Sequence, residues 1–146
     1  MTNNLLIALH RWAHRQDENF VTDAFAHLLR TLLDENPPAA LSILENLTDG
    51  RFPSSEFEPG RIQVHTQVTG ARGRPDVCIV SPNHQIIIEV KVESELGDRQ
   101  LERYLEDLRE LCPDSHTTMV LLSRYFVELS PAIQEKVISK RWYEVA

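Results

Sequence analysis

Residues 73–104 read GRPDVCIVSPNHQIIIEVKVESELGDRQLERY, and the fold turns on how this stretch pairs with itself. Val77 to Val80 is an apolar run, Pro82-Asn83-His84 is turn chemistry, and Ile86-Ile87-Ile88 is a β-branched run that suits a central strand buried on both faces. Pairing the two runs as a hairpin sets Asp76, at the start of one strand, beside Glu89, near the end of the other, 13 positions on. Two adjacent carboxylates repel unless a cation lies between them, and a hard divalent ion such as Mg²⁺ or Mn²⁺ takes carboxylate, carbonyl and water oxygens. Lys91 follows Glu89 by two residues and so leaves the same face of the strand. An ammonium there positions a nucleophilic water or stabilises charge developing on a phosphate. Glu89 interrupts an apolar run, where an unpaired buried carboxylate costs on the order of several kcal/mol. A salt bridge to an arginine would satisfy Glu89 alone, whereas a metal also accounts for Asp76.

Pro75-Asp76 before one strand and Glu89-Val90-Lys91 ending the next resemble the PD-(D/E)XK nuclease superfamily, the restriction-endonuclease-like phosphodiesterases. Gln100 and Tyr104, one helical turn apart in QLERY, resemble the Q-x-x-x-Y helix of its RecB-type branch. Either short motif alone arises by chance in many proteins; the ordered set from Gly73 to Tyr104 is far more specific. The resemblance implies an α/β fold with an αβββαβ core, a mixed central sheet flanked by helices. It implies a Mg²⁺- or Mn²⁺-dependent deoxyribonuclease that leaves a 5′-phosphate. Asp76, Glu89 and the Val90 carbonyl would hold the ion, Lys91 would act on the water and the developing charge, and Gln100 and Tyr104 would orient the DNA backbone or the lysine. Family members often add an acid from an N-terminal helix, for which Glu18 is the candidate; its other reading is an interaction with the helix dipole. Such domains serve in restriction, repair and anti-phage defence, and many relatives cut as homodimers or within larger complexes.

Bulk properties set bounds. At 146 residues, 42% apolar and 25% charged, the chain is one ordered domain able to bury a core. The apolar run near the N-terminus is too short and too polar for a signal peptide or membrane span, so no membrane partner is expected. Cys78 lies in an apolar strand and Cys112 has no metal-ligand spacing; free thiols fit a reducing cytoplasm. The net charge of −7 is unusual for a nucleic-acid partner and shifts the question to the local field. Arg61, Arg72, Arg74, Lys91, Arg99 and Arg103 are the candidates for a basic rim. The same acidity favours the alternative from another class, a nuclease-like binding or assembly module without cleavage.

Elsewhere the periodicities predict a helical part over residues 1–50 and a sheet core over 61–146. Leu5, Leu6, Leu9 and Trp12 mark a first helix over 4–14. Asp17 is a good N-cap for a second, with Phe25, Leu28, Leu29, Leu32 and Leu33 as its buried stripe. Pro37-Pro38 breaks the pattern before a helix from Ala39 to Leu47, which Gly50 can close. Ile62, Val64, Thr66 and Val68 alternate as a half-buried strand, residues 98–111 return to helical spacing, and TTMVLLS over 117–123 is another strand. Pro131 to Ser139 reads as a last helix, with Trp142 and Tyr143 at its exit; the chain then ends in a short strand or is a domain cut from a longer protein. The six histidines are scattered. His10 and His14 share a helical face but have no third ligand in reach, and there is no Gly-rich phosphate loop or serine elbow.

Overall fold

Strand propensity and burial coincide at one segment, His84–Lys91, whose residues Ile86 to Val90 are all buried. A strand apolar on both faces needs neighbours on both edges and layers above and below. The computed structural model, which describes residues 17–52, 58–66, 75–92, 101–103, 105–106 and 116–145, supplies both. The sheet is five-stranded and ordered β1 (Gln63–Thr66), β2 (Val77–Val80), β3 (His84–Lys91), β4 (His116–Ser123) and β5 (Val137–Arg141). β1, β2 and β3 pair antiparallel as a meander, while β4 and β5 join β3 in parallel, giving a mixed α/β architecture.

Alternation along the strands divides the core in two. Val77, Ile79, Ile86, Ile88, Val90, Val120, Leu122 and Ile138 face one side, against α1 (Asp17–Glu35) and α2 (Pro37–Leu47). Cys78, Ile87, Met119, Leu121 and Val137 face the other, against Leu101 and Leu105 of the helical residues after β3 and against Val127, Leu129 and Ile133. Cys78 is a buried free thiol, as expected.

Several expectations are corrected. α1, described from Asp17 on, buries Phe25, Ala26, Leu29 and Leu33, while Leu28 stays 47% exposed. The helix is rotated so that small Ala26 meets the core and the leucine next to Leu29 turns to solvent. Pro37 opens α2 instead of preceding it, because an N-terminal proline has no helical partner to lose. That helix ends as foreseen at Gly50, whose φ of +79° is glycine's own region and whose N–H donates to the Glu45 carbonyl at 2.8 Å. The last predicted helix is absent. Residues 131–136 form turns in which Val137 N–H reaches back to Ile133, and Val137–Arg141 is β5, paired along β4 from Met119 to Ser123. Its helical spacing loses to the open edge of β4, which offers Val137 and Ile138 both a ladder and a buried face. A short helix, α3 (Trp142–Val145), follows, and Trp142 meets Phe25 edge to face at 5.6 Å. The helix expected over 4–14 lies outside the described residues. No described helix is long and apolar enough to cross a membrane.

If β3 is the structural centre, truncating its fully buried Ile88 to Ala leaves a cavity between sheet and helices and costs about 2–5 kcal/mol. Urea unfolding followed by circular dichroism reads that loss; Leu28→Ala, at an exposed position, should stay within about 0.5 kcal/mol of wild type.

Candidate active site

The β2–β3 register ends with Val77 paired to Ile88, so Asp76 and Glu89, the next residue on each side, lie at the same end of the hairpin. Residues directly opposite in a sheet project from the same face, as the paired Cys78 and Ile87 do. Alternation puts Glu89 on the face covered by Leu101, with Asp76 at the same end of the hairpin. Asp76 lies just before β2, where its Oδ2 accepts the Val90 N–H at 2.8 Å. This hydrogen bond takes the place of a backbone contact and holds the carboxylate at the strand end.

Pro75 has a definite part in that substitution. It lies at the same end of the hairpin as Val90, and a proline carries no N–H to donate to the Val90 carbonyl. In an antiparallel ladder a residue's N–H and C=O point to the same edge. Since the Val90 N–H points toward Asp76, its carbonyl oxygen also looks toward the end of β2. Among the described residues, the oxygen donors at this end of the hairpin are Asp76, Glu89 and the Val90 carbonyl, the ligand types that Mg²⁺ or Mn²⁺ takes.

Glu89 is 3% exposed, and Lys91 Nζ stands 3.5 Å from its Oε1 with 12% of the lysine side chain exposed. Among the described residues, this lysine pairs with the Glu89 carboxylate. This end of the hairpin carries, among the described residues, the carboxylates Asp76 and Glu89 and the ammonium Lys91, an excess of negative charge that suits a divalent cation. Among the described residues there is no group of three or more His, Cys, Asp or Glu side chains placed to hold a metal. Any ion here would rely on two carboxylates, a backbone carbonyl and water.

The remaining predicted residues divide by position. Glu18 lies on α1, whose buried residues meet the opposite face of the sheet. Gln100 and Tyr104 lie outside the described residues, although Leu101 beside Gln100 packs on the carboxylate face. Arg103 is exposed on the same helical stretch. Arg61 is not part of the rim: it precedes Gln63, which pairs with Val80 at the far end of the hairpin, and it binds Glu58 at 2.9 Å. Two arginines that the motif did not single out stand nearer. The Arg124 N–H donates to the Lys91 carbonyl at 3.0 Å, and Arg141 pairs in register with Ser123, which pairs with Lys91. The pattern SRYF after an apolar strand was the available signal.

At the other end of the sheet, Gly50, Arg51, His84, His116, Thr117 and Thr118 line an open cleft of about 420 Å³. His84 and His116, separate in sequence, pair in register across β3 and β4 and stack with ring centroids 5.3 Å apart. Compared with known proteins, the chain matches no family model, no curated protein and no solved structure at a significant level.

The ion pair generates an asymmetry. Lys91→Met removes the ammonium beside a carboxylate that is 3% exposed and should cost about 3–5 kcal/mol in urea unfolding. Glu89→Gln keeps the shape and leaves a lysine whose flexible stem can carry its charge to water, so it should cost clearly less. Equal losses in the two variants would contradict the burial difference.

Proposed function

We propose that the chain is a metal-dependent nuclease hydrolysing phosphodiester bonds in DNA, with a restriction-endonuclease-like core of the PD-(D/E)XK kind formed by β1, β2, β3, the helix after β3, and β4. The observation that supports this reading is the end of the β2–β3 hairpin, where Asp76 accepts the Val90 N–H and the Lys91 ammonium lies 3.5 Å from Glu89. A structural ion pair explains Glu89 and Lys91 but leaves unexplained why a second carboxylate is anchored beside them by the Val90 N–H.

In this mechanism Asp76, Glu89 and the Val90 carbonyl would hold one Mg²⁺ or Mn²⁺. When bound, the ion supplies Lewis-acid polarisation of the scissile phosphate and lowers the pKa of a water molecule. Lys91 orients the attacking water and offsets the negative charge that grows on the phosphate oxygens in the transition state. Its partial burial strengthens that interaction, since few waters compete for the ammonium. The Val90 N–H fixes the Asp76 carboxylate before substrate arrives, so little reorganisation remains for the reaction itself.

The net charge of −7 favours a second reading, a nuclease-like module that binds or assembles without cutting. The two readings part on metal and turnover. Isothermal titration with Mn²⁺ should show one site in wild type and at least a roughly tenfold weaker one in Asp76→Asn. The asparagine oxygen still accepts the Val90 N–H, so this variant should unfold close to wild type in urea. Incubated with linear, circular and single-stranded DNA, wild type should cleave only when Mg²⁺ or Mn²⁺ is added. Lys91→Ala, once shown to be folded by circular dichroism, should lose cleavage by about a hundredfold or more while retaining Mn²⁺ affinity. Wild type without metal-dependent cleavage of any of these substrates would leave the binding module as the better account.

A further inference from the structure

The carboxyl ends of the three parallel strands β3, β4 and β5 carry features that phosphodiester hydrolysis alone does not require. Lys91, Ser123 and Arg141 stand abreast, each pairing with the next in register, and residues in one such row project from the same face. Immediately beyond β4 the chain reads Arg124-Tyr125-Phe126. Ser123 Oγ donates to the Tyr125 carbonyl at 2.8 Å, a turn that leaves Tyr125 61% and Phe126 78% exposed. The Arg124 guanidinium lies over the Tyr125 ring at 5.2 Å. Beyond β5 the arrangement repeats: Tyr143 is 65% exposed, with the Arg141 guanidinium 4.9 Å from its ring centroid.

Three large aromatic side chains are thus turned to water at one end of the sheet, two of them covered on one side by a guanidinium. From this juxtaposition we infer that the carboxyl end of β3–β4–β5 is a binding track for single-stranded nucleic acid, its bases stacking on Tyr125, Phe126 and Tyr143 and its phosphates meeting Arg124 and Arg141. The inference rests on the nuclease reading only for the destination of the strand, the Asp76–Glu89–Lys91 site at the head of the same row.

An unpaired strand is the occupant that this chemistry selects. Every base has a π-face, and aromatic platforms bind single strands with little regard to sequence. In a duplex those faces are already stacked on one another and offer the three rings nothing. Glu144, 3.8 Å from Arg141 Nε and accepting the Arg141 backbone N–H, leaves the track only weakly basic. With a chain charge of −7, such a track lacks the dense cationic surface on which nonspecific duplex affinity depends. Stacking, which charge does not oppose, then carries the affinity. The negative total also disfavours a second copy of the chain as the partner.

The test is fluorescence anisotropy with the full chain, in EDTA so that nothing is cut, using a labelled oligothymidylate of about 12 nucleotides and a duplex of equal length. Wild type should prefer the single strand. The double variant Tyr125→Leu, Phe126→Leu should weaken that binding by about five- to a hundredfold, with an unchanged urea midpoint and unchanged duplex binding. Phe126→Trp should bind as well as wild type or better, and Arg124→Gln should flatten the salt dependence. Three results would each overturn the track: duplex bound as tightly as single strand, leucine variants binding like wild type, or a dimer in sedimentation that the leucine substitutions disperse. Cleavage is read separately with Mg²⁺. Single-strand binding without cleavage removes the hydrolase reading and leaves the track, while cleavage without that binding preference does the reverse.

Discussion

A carboxylate inside the central strand is the constraint on which the rest of the structure depends. Glu89 sits between Ile88 and Val90, both fully buried, in a strand with a neighbour on either edge. A cation arrives on the same face two residues later, Lys91, whose ammonium lies 3.5 Å from the carboxylate and offsets the cost of its burial. The pair is short-range in sequence but is enforced by the strand, whose pleat leaves the two side chains no other relative direction. The hairpin then adds Asp76 to the same place, which the ion pair by itself does not demand. A fold that tolerated this only as an accident would be more stable with an apolar residue at position 89.

The change from antiparallel to parallel pairing at β3 gives the two ends of the sheet different chemistry. The carboxyl ends of β3, β4 and β5 lie side by side, the usual place for ligands in open α/β sheets. Lys91, Arg124, Arg141 and three exposed aromatic rings gather there. The amino ends instead bring His84 onto His116 beside the cleft that includes Arg51. The helices α1 and α2 cover the opposite face from the acids, so the larger apolar core and the charged cluster do not compete for the same space.

What could be read in advance follows from how local each cause is. The β2–β3 hairpin was legible because its turn residues, its β-branched run and the positions of its charges all agree within 16 residues, Asp76 to Lys91. α1 was legible as a helix but not in its rotation: Leu28 and Ala26 exchange their expected places because the sheet, not the helix, decides which side is inside. Arg61 looked close to the site along the chain, yet an antiparallel strand carries it to the far end of the hairpin.

By itself the sequence determined the central strand, the spacing that puts Glu89 and Lys91 on one face, and the acid that a hairpin returns to them, because each rests on periodicity or turn chemistry over a few residues. Only the tertiary structure decided that Val137–Arg141 is a strand, since its apolar residues satisfy either period until β4 presents an unpaired edge. That single addition also brings Arg141 and Tyr143 to the end of the sheet where Lys91 stands. Residues 50 positions apart met there because parallel pairing aligns strand ends, a relation that no local pattern records.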